Sequence, residues 1–192
     1  MRSFLSSKVQ IAIDHHKTHA KFADVTLLDT DVSACAEIVY RLLTYMKLMS
    51  KDVAELLFAG IVTDSGCFQF SSVSETTHKI AGELLSYGFD GGKVIYDVFK
   101  KTSVNKFMLE NRVLSKCKFF DDNQIAIITF TAKDFEETST SMNDTLGTIV
   151  GVIDIDTVKV AYAIAEAANR SYKIMIRSKD GIDASDIARE FG

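Results

Sequence analysis

The residues of this sequence best suited to chemistry are the consecutive Asp14, His15 and His16. They follow an apolar run at residues 9–13, which predicts a short buried strand. Such a strand delivers three polar side chains to one edge of a sheet, the edge that binds ligands in open α/β sheets. One imidazole could bind a divalent metal, its neighbour could contact an anionic substrate, and the carboxylate could fix a ring tautomer. On its own, the tripeptide is equally compatible with solvated His residues at a strand end.

A second candidate site residue, Asp64, ends an amphipathic helix whose N-cap is predicted at Ser50. One helical face is formed by Val53, Leu56, Leu57, Gly60 and Ile61. Asp64 lies about three turns after Val53, which predicts that it shares this inward face. It could cap the turn at Ser65-Gly66 or supply a second metal ligand. A set of His and carboxylate ligands without paired cysteines suits Mn²⁺, Mg²⁺ or Fe²⁺ better than structural zinc.

Several segments along the chain form a pattern together. They are Asp14-His15-His16-Lys17-Thr18, residues 34–40, residues 60–68 with Thr63-Asp64-Ser65-Gly66, residues 75–78, Ile176-Arg177-Ser178, and residues 187–192 ending in Phe-Gly. With these segments the chain resembles the DHH phosphoesterases over nearly its whole length, in the bacterial nanoRNase branch. The tripeptide is a weak pattern alone, but its spacing to Asp64 and to Arg177-Ser178 makes the resemblance specific.

The resemblance implies an enzyme with an α/β fold that hydrolyses very short RNAs, dinucleotides and 3′-phosphoadenosine 5′-phosphate. It implies two Mn²⁺ ions, with Mg²⁺ or Fe²⁺ as substitutes, and a bridging water that attacks the phosphate. His15 would be a direct metal ligand and Asp64 a bridging ligand. His16 would donate to the scissile phosphate, and Asp14 would orient a His. Arg177 and Ser178 would close on the nucleotide from a second domain.

The hydrophobic pattern changes near residue 117 and divides the chain. Residues 1–103 read as a helix-rich portion of a parallel-sheet DHH domain, with helices starting at Asp31 or Ser33, at Ser50 and at Ser74. Residues 104–117 read as a linker helix. Residues 118–192 read as an incomplete, smaller α+β substrate-binding domain. Its predicted elements are a hairpin turning at 121–123, a strand at 125–130, helices at 132–138 and 144–152, strands at 158–165 and 172–177, and a helix at 183–191.

Two features depart from the family pattern. The family's His-x-x-x-Asp-x-Asp segment should precede Asp14, and its Gly-rich His segment should follow Phe191-Gly192. We therefore expect an internal portion of a longer protein, with weak or no activity on its own. The other departure is His19, which stands where relatives usually have Asn and which the sequence does not explain.

Composition is compatible with this reading. The chain has 192 residues, 47% hydrophobic and 25% charged, with a formal net charge of −4. A chain with a net negative charge does not attract the phosphate backbone as a whole, so we do not expect tight, nonspecific nucleic-acid binding. The three cysteines lack pairing or zinc spacing, and no apolar stretch reaches membrane-spanning length. We expect a cytoplasmic protein with a nucleotide or short-RNA substrate and no membrane partner, and a homodimer is left open.

Three alternatives remain at this stage. A pyrophosphatase or polyphosphatase of the same superfamily would use the same metal residues. A non-catalytic nucleotide-binding module is compatible with the missing upstream carboxylates. A truncated product without a stable fold is the third.

Overall fold

The computed structural model describes residues 7–167, 171–179 and 181–191. The chain divides into two compact units, Met1–Lys101 and Thr102–Gly192, each with its own apolar core. The first unit combines a parallel strand pair with helices, and the second packs helices on a mixed sheet. The predicted α/β fold class is confirmed. No helix among the described residues is long and apolar enough to cross a bilayer.

The first unit begins with strand β1 (Ile11–Asp14), which pairs in parallel with strand β2 (Val25–Leu28). The predicted strand is confirmed, but its predicted burial was wrong, because Ala12 is buried whereas Val9 and Ile11 are exposed. The second strand of this unit, Val25–Leu28, was not predicted. This strand is only four residues long, and Val25, Leu27 and Leu28 are exposed, so hydrophobic periodicity gave no signal for it.

The helices of the first unit are α1 (Cys35–Tyr45), α2 (Lys51–Asp64), α3 (Glu75–Leu85) and α4 (Gly91–Ile95), the last continuing as a π turn at Tyr96–Lys100. The predicted caps of α2 and α3 are confirmed. Ser50 accepts a hydrogen bond from the Val53 N–H, and Ser74 accepts one from the Thr77 N–H in a capping box.

Helix α1 starts differently from the prediction. Neither Asp31 nor Ser33 caps it, and Ala34 occupies the N-cap position without a side-chain bond. Ser33 is engaged instead by Glu37, which is fully buried in the first turn of α1. Glu37 Oε1 accepts hydrogen bonds from the Ser33 N–H (3.0 Å), the Ser33 hydroxyl (2.6 Å) and the Thr77 hydroxyl (3.0 Å). The buried carboxylate thus ties the loop after β2 to the start of α3.

The core of the first unit lies mainly along α2. Its buried residues are Ala54, Leu57, Phe58, Ile61 and Val62. The predicted inward position of Leu56 was wrong, since its side chain is 73% exposed. Gly60 allows α1 to approach, because a Cβ there would lie 3.0 Å from the Ala36 Cβ. Asp64, predicted on the inward face, has a side chain that is 46% exposed at the end of the helix.

A left-handed turn follows Asp64 directly. Gly66, Cys67 and Phe68 have φ angles of 56°, 57° and 65°. Buried Ser65 holds this turn: its carbonyl accepts from the Gln69 and Phe70 N–H groups, and its hydroxyl oxygen accepts from the Phe68 N–H. Left-handed backbone is costly for residues with a Cβ, so these bonds must offset strain at Cys67 and Phe68. The turn fixes where α2 ends and therefore where Asp64 lies.

The second unit comprises α5 (Val104–Leu114), β3 (Lys118–Phe120), β4 (Ile125–Phe130), α6 (Ala132–Thr138), a 3₁₀ turn (Met142–Thr145), α7 (Thr148–Ile153), β5 (Val160–Glu166), β6 (Tyr172–Ser178) and α8 (Ala184–Phe191). The sheet order is β3-β4-β5-β6, with β4 and β5 parallel and the two outer pairs antiparallel. The continuous helix predicted at 144–152 was wrong. Gly147, with a φ of 93°, interrupts it and starts α7.

Two residues of α5, Leu109 and Val113, are fully buried in the core of the second unit. Asp134 on α6 strengthens the attachment of this helix. Its side chain is 1% exposed and accepts from Arg112 (2.5 Å) and Lys116 (2.6 Å). Burial would raise the pKa of Asp134, but the hydrogen bonds from Lys116, the Thr131 N–H and Arg112 outweigh it, so the pKa lies well below its ordinary value.

The left-handed turn after Asp64 yields a stability prediction. Gly66→Ala places a Cβ 2.6 Å from the Phe70 ring and forces φ 56° on a residue with a side chain. The ring is 58% exposed and can rotate away, but the backbone strain remains. We expect a loss of about 1–2 kcal/mol in the free energy of unfolding, measured by urea denaturation.

The matched control for this variant is Gly82→Ala in the interior of α3, where an added Cβ meets nothing within 4 Å. That variant should be stabilised by up to about 1 kcal/mol, because Ala favours a helix over Gly. A Gly66→Ala protein as stable as the unaltered chain would show that the left-handed turn is not populated.

Candidate active site

The candidate site is built around the carboxylate of Asp14 at the end of β1. Its Oδ1 accepts hydrogen bonds from the His15 N–H (2.8 Å), the His16 N–H (3.1 Å) and His16 Nδ1 (2.7 Å). Its Oδ2 accepts from His19 Nδ1 (2.6 Å). The hydrogen bonds from the His16 and His19 rings hold the pKa of Asp14 well below its usual range. Asp14 is therefore ionised at neutral pH and acts only as an acceptor.

The ionised Asp14 determines which nitrogen of His16 carries a proton. Because the carboxylate can only accept, Nδ1 must be the donor across the 2.7 Å contact. Nε2 is then the remaining polar atom of a ring that is 68% exposed. Donation from Nε2 to a phosphate oxygen requires the doubly protonated ring.

His15 and Asp64 come from different elements and meet at this edge. His15 Nε2 lies 3.7 Å from Asp64 Oδ2, and the two side chains are 17% and 46% exposed. That distance is too long for a hydrogen bond. It is close to the separation of about 3.0–3.5 Å expected between two neighbouring ligand atoms of one metal ion, each about 2.1 Å from that ion. An imidazole and a carboxylate also suit Mn²⁺, so the pair fits as two neighbouring ligands of a metal.

His15 and Asp64 are joined by no third potential metal ligand among the described residues. No group of three or more His, Cys, Asp or Glu side chains among them converges in a way that could hold a metal. Asp29 pairs with Arg41 at 2.8 Å and accepts from the Asp31 N–H, and Asp24 accepts from the Gln10 N–H. Asp24 and Asp29 lie in the loops on either side of β2.

Cys35 lies beside the site but has the character of a neutral thiol. Its Sγ donates to the Ile13 carbonyl at 3.6 Å. Burial raises the pKa of the Cys35 thiol, and the negative charge of Asp14 raises it further. A thiolate nucleophile or ligand is therefore disfavoured here, and the chemistry of the site belongs to imidazole nitrogen and carboxylate oxygen.

His19 is the site residue that sequence reasoning left without a role. Its side chain is 6% exposed and bonded to Asp14, and its backbone N–H donates to the His16 carbonyl at 3.1 Å. The one sequence signal was its departure from the usual Asn. Spacing alone could not reveal the contact, because the chain returns to Asp14 only through the turn at 16–19.

Arg177 and Ser178 lie at the end of β6 in the second unit. The Ser178 hydroxyl donates to the Ile182 carbonyl at 2.6 Å, so its proton is already engaged. Arg177 is exposed, and its guanidinium donates only to the neighbouring Ile176 carbonyl at 3.1 Å among the described residues. It borders a groove of about 630 Å³ that is also lined by Tyr162, Tyr172 and Ser185.

The structure thus gathers Asp14, His15, His16 and Asp64 in the first unit and sets Arg177 and Ser178 side by side in the second. Gly192 of the Phe-Gly pair lies outside the described residues. The roles predicted for these residues as ligands and substrate contacts stay predictions.

Bacterial proteins with similar sequences match this chain over most of its length. It is 29% identical over 185 residues to a probable bifunctional oligoribonuclease and PAP phosphatase NrnA of Streptococcus mutans, covering 93% of this chain and 57% of that protein. It is 30% identical over 154 residues to the bifunctional oligoribonuclease and PAP phosphatase NrnA of Bacillus subtilis, covering 73% and 47%. No family model matches the chain.

A solved structure agrees with these relatives. The exopolyphosphatase-related protein of Bacteroides fragilis superposes with a TM-score of 0.88 at 28% identity, covering 95% of this chain and 54% of that one. The chain therefore spans about half the length of the proteins it matches. These similarities confirm the resemblance to the DHH phosphoesterases, with relatives that are named bifunctional oligoribonucleases and PAP phosphatases.

Proposed function

We propose that this chain carries part of the hydrolytic site of an Mn²⁺-dependent phosphoesterase that acts on short oligoribonucleotides and on 3′-phosphoadenosine 5′-phosphate. The observation that carries the proposal is the approach of His15 Nε2 to Asp64 Oδ2 at 3.7 Å, beside a His16 held by Asp14. The names of the relatives support the substrate class. The site would act in the cytoplasm.

The site residues would have different roles in the hydrolysis. Hydrolysis adds water to phosphorus, breaks a P–O bond and returns a proton to the leaving oxygen. A bound Mn²⁺ would supply a low-pKa water and neutralise phosphoryl charge. His15 and Asp64 would hold that ion from two elements. His16, fixed at Nδ1 by Asp14, would hold a phosphoryl oxygen through an Nε2 proton as negative charge develops.

Arg177 would bind the nucleotide. It is an exposed cation at a groove with two tyrosine rings, Tyr162 and Tyr172. A guanidinium favours phosphate oxygens, and an aromatic ring favours the face of a base. We assign Ser178 a supporting contact through its hydroxyl oxygen, since its proton is donated to Ile182.

Metal binding gives the first functional prediction. His15→Ala and Asp64→Ala should each weaken Mn²⁺ binding by about tenfold or more, because each removes a direct ligand. His16→Ala should change it by less than about threefold, since its role is toward the phosphate. The measurement is free Mn²⁺ by electron paramagnetic resonance during titration of the purified chain.

His78→Ala is the matched control for this titration, because His78 is exposed on α3 and stacks on Phe68 rather than facing Asp14. Equal binding by the Asp64→Ala protein and the unaltered chain would contradict the assignment of the ligands.

A substrate panel tests the proposed reaction. The 192-residue chain, and any longer in-frame product of its gene, are assayed in parallel with Mn²⁺. We expect the active protein to hydrolyse diadenylate and 3′-phosphoadenosine 5′-phosphate much faster than pyrophosphate. Asp64→Asn should lower kcat by about 100-fold or more, because a neutral amide is a poor ligand for a hard cation.

The panel also separates the alternatives. Preferred cleavage of pyrophosphate would favour a pyrophosphatase. Nucleotide binding without turnover in either protein would indicate a non-catalytic module, and it would contradict the proposed reaction.

Arg177 provides a test of nucleotide recognition in the same assay. Arg177→Ala should raise KM for diadenylate by about tenfold, the loss of one charge-assisted contact, while activity on bis-p-nitrophenyl phosphate falls less. Lys173→Ala is the control, since Lys173 is an exposed cation on the same strand and face but does not line the groove. Equal losses on both substrates would argue against a role in nucleotide binding.

A further inference from the structure

His19 is the one imidazole near the site that the proposed reaction leaves without a role. Its side chain is more buried than that of His15 or His16, at 6% exposed against 17% and 68%. The Phe22 ring packs against it with centroids 5.3 Å apart. A polar ring buried to this extent requires a structural or functional reason.

The two oxygens of Asp14 are unequally supported. Oδ1 accepts from two backbone N–H groups and from His16 Nδ1, whereas Oδ2 accepts from His19 Nδ1 alone among the described residues. Rotation about the last side-chain torsion of an Asp, χ2, has a low energy barrier. Hydrogen bonds to one oxygen alone therefore leave the carboxylate plane free to rotate. The contact to His19 is therefore what sets the plane in which Oδ1 meets His16.

The other nitrogen of His19 constrains its protonation. Nε2 is buried and has no hydrogen-bond partner within the part of the chain that the structure describes. A buried N–H without an acceptor would cost free energy, and so would a buried positive charge. Nδ1 must carry a proton to bond the ionised Asp14. The neutral ring with a proton on Nδ1 and a bare Nε2 meets both conditions.

We propose that His19 is a positioning residue of the site: its Nδ1–H fixes the plane of the Asp14 carboxylate, and through it the orientation of the His16 ring. In this role His19 carries its proton on Nδ1 and acts through Asp14. The link to catalysis rests on the proposed function, but the hydrogen bonding itself does not.

The first test observes the unaltered chain. It has four histidines, so a ¹⁵N-histidine sample gives a simple imidazole spectrum that single His→Ala variants assign. At neutral pH we expect His19 to show a protonated Nδ1 with slow exchange and a pyridine-like Nε2. A proton on Nε2, with Nδ1 bare or protonated, would overturn the proposal whatever the variants do.

Two substitutions then separate positioning from bulk packing. In Asn, the amide Nδ2 is bonded to Cγ just as Nδ1 is in His, so His19→Asn keeps a donor at the same place. His19→Leu fills the space without a donor. We expect His19→Leu to speed exchange of the His16 Nδ1 proton by about tenfold or more, and His19→Asn to remain within about threefold of the unaltered chain.

The exchange rate of the His16 proton separates this proposal from the proposed function. A folded His19→Leu protein with unchanged exchange, or a His19→Asn protein as impaired as His19→Leu, would overturn the positioning role. If His19→Leu fails to fold by circular dichroism, the tautomer of the unaltered chain still decides. Absence of hydrolysis would count against the proposed function alone, because the spectrum requires neither metal nor substrate.

Discussion

The arrangement of the candidate site depends on one ionised carboxylate. Asp14 stands at the last position of β1, where its backbone carbonyl still accepts from the Asp29 N–H and its side chain turns back to hold the following loop. Four donors from three residues meet its two oxygens. This concentration of donors keeps the group charged, and the charge in turn fixes the protonated nitrogen of each ring that it contacts. Without it, His15 and His16 would sit on an unsupported loop.

Asp64 reaches the same edge by an independent route. It ends a helix whose buried face packs in the first core, and the left-handed turn held by Ser65 stops that helix at the required residue. The buried Glu37 network fixes the loop after β2 against the start of α3. The helix that carries Asp64 is thus anchored in the core, which suits a group that must be held before a substrate arrives.

Much of this organisation could be predicted from the sequence. The strand before Asp14 and the caps at Ser50 and Ser74 follow from periodicity and cap chemistry, which act over a few residues. What could not be predicted depends on pairing in space. Strand β2 has no periodic signal, and the exposure of Leu56 depends on which helices pack on α2.

The candidate site, too, could be predicted from the sequence only in part. Residue types and spacing indicated Asp14, His15, His16 and Asp64. The contact between His19 and Asp14 requires a turn of specific geometry, and no pattern of residue types indicates it. The engagement of the Ser178 hydroxyl by Ile182 was equally invisible, because it depends on the path of the chain after β6.

The central claim is that His15 and Asp64, held by separate elements, are two ligands of one metal centre. Anomalous X-ray diffraction from crystals of the chain grown with Mn²⁺ tests it most directly. The account predicts a manganese peak within about 2.0–2.3 Å of both His15 Nε2 and Asp64 Oδ2, the range of metal–nitrogen and metal–oxygen bonds. A fully occupied manganese peak elsewhere, with the 3.7 Å gap between these atoms empty, would contradict it.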